Sequence, residues 1–246
     1  MTGTMRKLLL ALAFLATPAV AAPCQETRFD GARFTLCEVP FGADLRLFHS
    51  DAAGTLYGGF GSINAALASE GKALGFAMNA GMYHPGREPV GLFVENGEER
   101  TPIVTAGSQD NFGMRPNGVF CISDSGFSVI ESRAFAANPP ACRFATQSGP
   151  MLVIDGALHP RFIPGSDSTY IRNGVGVSAD GQRAVFVISE NRVNFDQFGR
   201  LFRDALKLPN ALYFDGKISR LYAPALNRDD LGFPMGPIVG LVVAKP

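Results

Sequence analysis

Three side chains able to help split a polar bond lie at or near the ends of apolar runs. Asp215 closes the run Ala211 to Phe214, and Glu190 closes Ala184 to Ser189. Arg172 sits within a run from Tyr170 to Val177 that alternates towards a core. Two carboxylates at the ends of neighbouring buried strands can act as acid, base or nucleophile. A guanidinium in such a run needs either an anionic ligand or a carboxylate partner, and both readings stand. Asp155, Asp180 and Asp215 are each followed by Gly. A type I′ hairpin turn would account for any of them without chemistry.

A second polar group is Asn79-Ala-Gly-Met-Tyr-His-Pro85, which breaks an apolar run from Ala73 to Met78. Functional groups are often presented where a core strand ends, although an ordinary strand-to-loop turn looks the same. A third is Thr146-Gln-Ser-Gly-Pro150, ahead of the run Met151 to Ile154. Gln147-Ser148-Gly149 lacks the flanking glycine of a nucleophile elbow and precedes its strand, so Ser148 reads as a hydrogen-bonding group rather than a nucleophile. The histidines at 49, 84 and 159 are not paired at ligand spacing, so no metal and no cofactor is expected. Gly58-Gly-Phe-Gly61 has no lysine in register for a phosphate loop and reads as a turn.

The elements that must position these groups are mostly strands. Arg33 to Val39 alternates and, with Leu45 to Phe48, suggests an antiparallel opening pair. Ser62 would cap a short helix from Ile63 to Glu70. Val90 to Val94 with Ile103-Val104 around Asn96-Gly97, and Asn117 to Ile122 with Phe127 to Ile130, read as hairpins. Phe195, Phe198, Leu201, Phe202, Ala205 and Leu206 share one helical face, with Asn194 and Gln197 spaced as a capping box. Ile238 to Val243 reads as a final buried strand. Together these give a single α+β domain with mixed or antiparallel sheets and a few packing helices.

The 246 residues suffice for one sizeable core. Lys+Arg and Asp+Glu balance at 22 each, so no field draws the chain to a polyanion and nucleic acid is not an expected partner. Arg6 and Lys7 precede an apolar segment, Leu8 to Leu15, and Ala19-Val-Ala21 has the small-x-small pattern of a cleavage site. Residues 1–22 are therefore expected to be a removed signal peptide and 23–246 the mature domain, periplasmic or secreted, with no permanent membrane anchor. In an oxidising compartment the four cysteines default to disulfides. Three connectivities are possible, and the shortest loops pair Cys24 with Cys37 and Cys121 with Cys142. Oligomeric state is not legible.

These segments, taken in order, resemble the phosphodiester glycosidase family, which includes the uncovering enzyme that removes N-acetylglucosamine from a phosphodiester. The matching pieces are Asn79 to Pro85, Pro89 to Gly97, Asn111-Phe112, Arg115 to Phe120, Thr146 to Leu152, Arg172 to Gly176 and Leu212 to Gly216. The resemblance implies hydrolysis of a glycosyl-1-phosphodiester, whose phosphate monoester departs with little need for a strong acid. It assigns Arg172 to the phosphate and Asp215 and Glu190 as carboxylates. It assigns Asn79, Gln147 and Ser148, with the backbone at Gly81 and Gly149, to hydroxyls and phosphate oxygens. His84 either binds substrate or satisfies its loop, and Tyr83, Tyr170 or Tyr213 would stack on a sugar. The implied partner is a phosphorylated glycan, and a non-catalytic envelope module binding such a glycan is the alternative. One departure stands out, because the family's Asp-Gly-Gly is Asp215-Gly216-Lys217 here. A cation replaces a glycine that would let substrate approach.

Overall fold

The computed structural model describes residues 23–245, so the expected signal peptide lies outside the described residues. The chain first forms β1 (Cys24–Phe29), β2 (Ala32–Pro40), β3 (Leu45–Phe48), α1 (Phe60–Ala68), β4 (Lys72–Asn79), β5 (Phe93–Glu95) and β6 (Glu98–Thr101). It continues through β7 (Gly118–Ser123), β8 (Gly126–Glu131), α2 (Ser132–Ala137), β9 (Cys142–Ser148), β10 (Met151–Ile154) and β11 (Ala157–Leu158). Next come β12 (Asn173–Val177), β13 (Arg183–Ser189) and α3 (Phe195–Arg200), which runs on as a wider π turn, Leu201–Ala205. The last strands are β14 (Asn210–Asp215), β15 (Leu221–Ala223), β16 (Arg228–Asp229) and β17 (Ile238–Ala244).

Three antiparallel sheets result. The first has the order β1-β2-β13-β12-β14-β10-β11, the second β16-β15-β4-β17-β3 and the third β6-β5-β9-β7-β8. The α+β reading holds, but the opening pair does not. β2 lies between β1 and β13, while β3 joins β17 at the edge of a different sheet. Alternation told that Arg33 to Val39 is a strand; it carried no information about its partner.

Strand periodicity explains the layering. Along β13, Ala184, Phe186 and Ile188 point into the central core, and Val185 and Val187 into the layer beneath α3. β14 does the same with Leu212 and Phe214 on one face and Ala211 and Tyr213 on the other. Both faces of this sheet are covered, so its central strands read as continuous apolar runs. Phe186 is the hub of the core: its ring centroid lies 5.5 Å from Phe76 of the second sheet and 5.6 Å from Phe120 of the third. Each such ring removes on the order of 200 Å² from water, so these contacts tie the three sheets together. α1 covers the outer face of the second sheet with Phe60, Ile63 and Leu67.

Local signals behave as their chemistry dictates. Asn96 and Gly97 have φ of 54° and 81°, the left-handed pair that a type I′ turn requires between β5 and β6. The Asn194 side chain accepts from the Gln197 amide and caps α3, whereas Gln197 turns its own amide to the Asp30 carbonyl instead of closing a box. α1 begins earlier than expected, with Gly59 rather than Ser62 at its cap, because Phe60 is buried with the helix. Disulfides join Cys24 to Cys37 and Cys121 to Cys142.

Candidate functional site

The three sheets converge at one point. Asn173 opens β12, Asp215 ends β14, and the two are register partners. Asn79 ends β4 beside Ile238, at the start of β17. Across the junction the two asparagines are bonded reciprocally. Asn79 Nδ2 donates to Asn173 Oδ1 at 3.0 Å, and Asn173 Nδ2 donates to the Asn79 carbonyl at 2.8 Å. Asn173 Oδ1 also accepts the Asp215 amide, and Asn79 Oδ1 accepts the Arg220 amide. Both asparagines are wholly buried, so this network is the polar keystone between two sheets.

Asp215 sits on that keystone. Its Oδ1 accepts the amides of Gly216 at 2.6 Å and Lys217 at 2.8 Å. Of the four Asp-Gly pairs, Asp30-Gly31 and Asp155-Gly156 are turns with both φ values positive, as type I′ requires. Asp180 accepts the Ser178 hydroxyl and the Gln182 amide in a surface turn. Asp215 and Gly216 have no positive φ, so a hairpin turn does not explain this aspartate. Burial pushes its carboxyl above the ordinary range, against the pull of the Lys217, Gly216 and Ile218 amides and the Lys217 charge. No salt bridge reaches it among the described residues.

Arg172 lies on the other face of the sheet from Asn173, as strand alternation requires. Its guanidinium is fully buried, with its carbon 3.6 Å from the Phe195 ring centroid and 5.3 Å from those of Tyr170 and Tyr213. Nε donates to the Val193 carbonyl and Nη2 to the Ser168 carbonyl, while Nη1 has no hydrogen-bond partner among the described residues. The ion-pair expectation is therefore corrected: carbonyls and ring faces hold this cation. Burial lowers its basicity. Its link to Asp215 runs through Tyr213, whose hydroxyl would lie 2.2 Å from a Cβ at Gly216. Tyr213 is pushed up chiefly by burial; Arg172 pulls it down and Asp215 pushes it up.

β12 separates the strands of Glu190 and Asp215, and the Glu190 carboxylate is taken up by Thr35 Oγ1, from which it accepts at 2.7 Å, and by an ion pair with Arg228. The expectation that the two carboxylates end neighbouring strands is corrected, because β12 lies between β13 and β14.

The Thr146–Gly149 segment is used internally. Gln147 Oε1 accepts the amides of Leu92 and Val104, and its Nε2 donates to the Val104 carbonyl and Ser132 Oγ. Ser148 Oγ donates to the Phe214 carbonyl at 2.9 Å, one residue from Asp215. Both side chains brace the strand ends and have little left to offer a ligand. At Gly149 a Cβ would lie 2.5 Å from the Phe112 carbonyl oxygen, and at Gly81, φ 151°, it would lie 3.1 Å from Thr146 Oγ1. Tyr83 is half-buried, donates to the Pro234 carbonyl at 3.1 Å, and has its hydroxyl pushed up by burial and by Asp215. His84 is exposed at the turn, where its amide donates to the Glu88 carbonyl.

Sequence reasoning did not single out Asn173, Ser219 or Arg220. Asn173 had a readable signal: it is an asparagine at the boundary of an apolar run, just before Gly174 to Val177 as Asn79 is just after Ala73 to Met78. Ser219 Oγ donates to the Ile171 and Asp215 carbonyls and had none.

The class of protein that carries this three-sheet body is identified by comparison with known families. The phosphodiester glycosidase family profile matches residues 73–232, and the chain belongs to that family. It is 33% identical over 224 residues to the uncharacterized protein YigE of Escherichia coli K12, covering 90% of this chain and 86% of YigE. Its fold matches the catalytic domain of zebrafish N-acetylglucosamine-1-phosphodiester alpha-N-acetylglucosaminidase, auto-inhibited by its pro-peptide. The TM-score is 0.61 at 12% identity, over 89% of this chain and 81% of that one. A Burkholderia pseudomallei protein described as a candidate exported protein matches at a TM-score of 0.50 and 11% identity, over 85% and 74% of the chains. Membership of a glycosidase family sets aside the non-catalytic module as the reading of this chain.

Proposed function

We propose that this protein is an exported hydrolase that cleaves a sugar from a glycosyl-1-phosphodiester, with Asp215 as its essential carboxylate. The observation that carries the reading is Asp215 itself: buried, free of any cation pair, and anchored by amides at the meeting point of the sheets. Water adds across the bond between the anomeric carbon and the phosphate oxygen. The sugar keeps the hydroxyl, and the phosphate monoester leaves with the proton. Asp215 takes the proton from water or stabilises the oxocarbenium-like transition state; the phosphate, a good leaving group, needs little protonation.

Asn79 and Asn173 are positioning residues that fix Asp215. Lys217, exposed one residue beyond Gly216, is the cation best situated for the phosphate. Arg172 supports the site from below by holding Tyr213 and the loops at Ser168 and Val193. Its unused Nη1 reaches phosphate only if the aromatic layer opens. Tyr83 and Tyr170 offer ring faces to the sugar. Glu190 stays outside the reaction. The two disulfides fit an extracytoplasmic location, and removal of residues 1–22 completes the export reading.

The test is release of free sugar from a glycosyl-1-phosphodiester by purified mature protein, with Asp215→Asn as control. Equal turnover by wild type and variant would overturn the assignment.

A further inference from the structure

The loop beside the site carries two large apolar side chains that none of the described residues covers: Leu231 is 90% and Phe233 76% exposed. The loop is firmly held. Arg220 donates from Nε to the Asp230 carbonyl at 2.8 Å and from Nη1 to the Phe233 carbonyl at 3.0 Å. Tyr83 donates to Pro234, and the Met235 amide donates to the Gly58 carbonyl. The Arg220 amide is also the donor to Asn79 Oδ1, so one residue fixes the loop against the keystone beneath Asp215. Apolar tips held rigidly in water point to a partner.

Charge narrows the partner. Arg87 lies against Pro234: a Cβ at Gly58 would meet Arg87 Nη1 at 2.6 Å and Pro234 Cβ at 3.5 Å. Arg87, Lys217 and Arg220 form no salt bridge among the described residues. Asp230 is neutralised by Arg228, which leaves Asp229 and Glu88, the residue after Arg87, as the neighbouring exposed acids against three cations. Two tips cover far less than the roughly 800 Å² per partner of a stable protein interface. Apolar tips flanked by cations suit the headgroup boundary of an anionic bilayer. Across the site, Tyr170 is 44% exposed, with its Cβ 3.4 Å from where a Cβ at Gly216 would be. Apolar surface therefore approaches the acid from that side as well.

We infer that this face docks on an anionic phospholipid surface through Leu231 and Phe233, with Arg87, Lys217 and Arg220 against the headgroups. The substrate is then a glycosyl phosphodiester whose phosphate carries a lipid alcohol. The substrate half rests on the hydrolase reading; the docking half does not.

The test uses the full mature chain. Sedimentation with mixed phosphatidylcholine–phosphatidylglycerol vesicles should capture it, and phosphatidylcholine alone or raised salt should release it. Leu231→Ser combined with Phe233→Ser should weaken capture about tenfold without moving the melting curve. Two donors with one sugar-1-phosphate, a methyl ester in solution and a long-chain alkyl ester in vesicles, complete the design. The double variant should keep methyl-ester turnover and lose about tenfold on the vesicle donor. No vesicle capture of wild type, or a wild-type dimer that the double variant makes monomeric, would overturn the docking surface. Equal rates on both donors for both proteins would overturn the lipid substrate. Capture without turnover of either donor would uphold the surface and overturn the hydrolase reading.

Discussion

Asp215 ends β14 and Glu190 directly follows β13 at the same end of one sheet, yet their surroundings differ completely. Glu190 is partly open to solvent and takes a hydroxyl from Thr35 and a guanidinium from Arg228, which Asp230 holds on its other side at 2.9 Å. Asp215 is only 8% exposed, and the donors that meet it belong to the backbone. A carboxylate whose charge is already answered is a strut. One that is desolvated, amide-held and without a counter-ion keeps its charge available for a reacting centre.

The largest expected effect separates the two directly. Asp215→Asn should lower sugar release about a thousandfold, while Glu190→Gln leaves it within about threefold. Comparable losses from both would merge the two carboxylates into one function. The next effect is on stability. Asn173→Ala strands the Asn79 side-chain amide, the Asn79 carbonyl and the Asp215 amide. It should cost roughly 3 kcal/mol in denaturant unfolding, and no loss would remove the keystone. Glu190→Gln should cost only about 0.5–1 kcal/mol, as a partly exposed pair does, and the cost should shrink in salt.

The smallest effect concerns pH. Asp215 has a folded-state pKa raised above its unfolded value, so the native fold prefers the protonated form. Its contribution to stability is present below the unfolded value near 3.8 and is lost as pH rises through the raised folded value. Asp215→Asn should therefore be more stable than wild type at neutral pH, with the gap closing in acid. A gap of the opposite sign would mean that the amides outweigh burial. The acidic limb of kcat/KM should likewise lie above that of an ordinary aspartate.

Much of this site was legible in the chain, and the limits have physical causes. Asn79 and Asp215 could be found because each interrupts an apolar run, and local signals such as Asn96-Gly97 and the Asn194 cap depend on near neighbours. Strand partners are set elsewhere. The separation of Glu190 from Asp215 follows from β12 lying between β13 and β14, which nothing local to either carboxylate encodes. Arg172 was correctly marked as a buried cation. Its actual companions, Phe195, Tyr213 and two loop carbonyls, are contributed by segments whose convergence requires the whole sheet. Gln147 and Ser148 stood out as polar groups beside a core strand, and they serve that strand end itself.

The bond between Asn79 and Asn173 spans 94 residues of chain, and that from Arg220 to Asn79 spans 141. Contacts so distant along the polypeptide close late, after the loop entropy between them has been overcome. The candidate site can therefore close only once these distant segments have met. During refolding, catalysis should recover with the slowest structural phase rather than with secondary structure, and no fragment lacking either end should retain partial turnover.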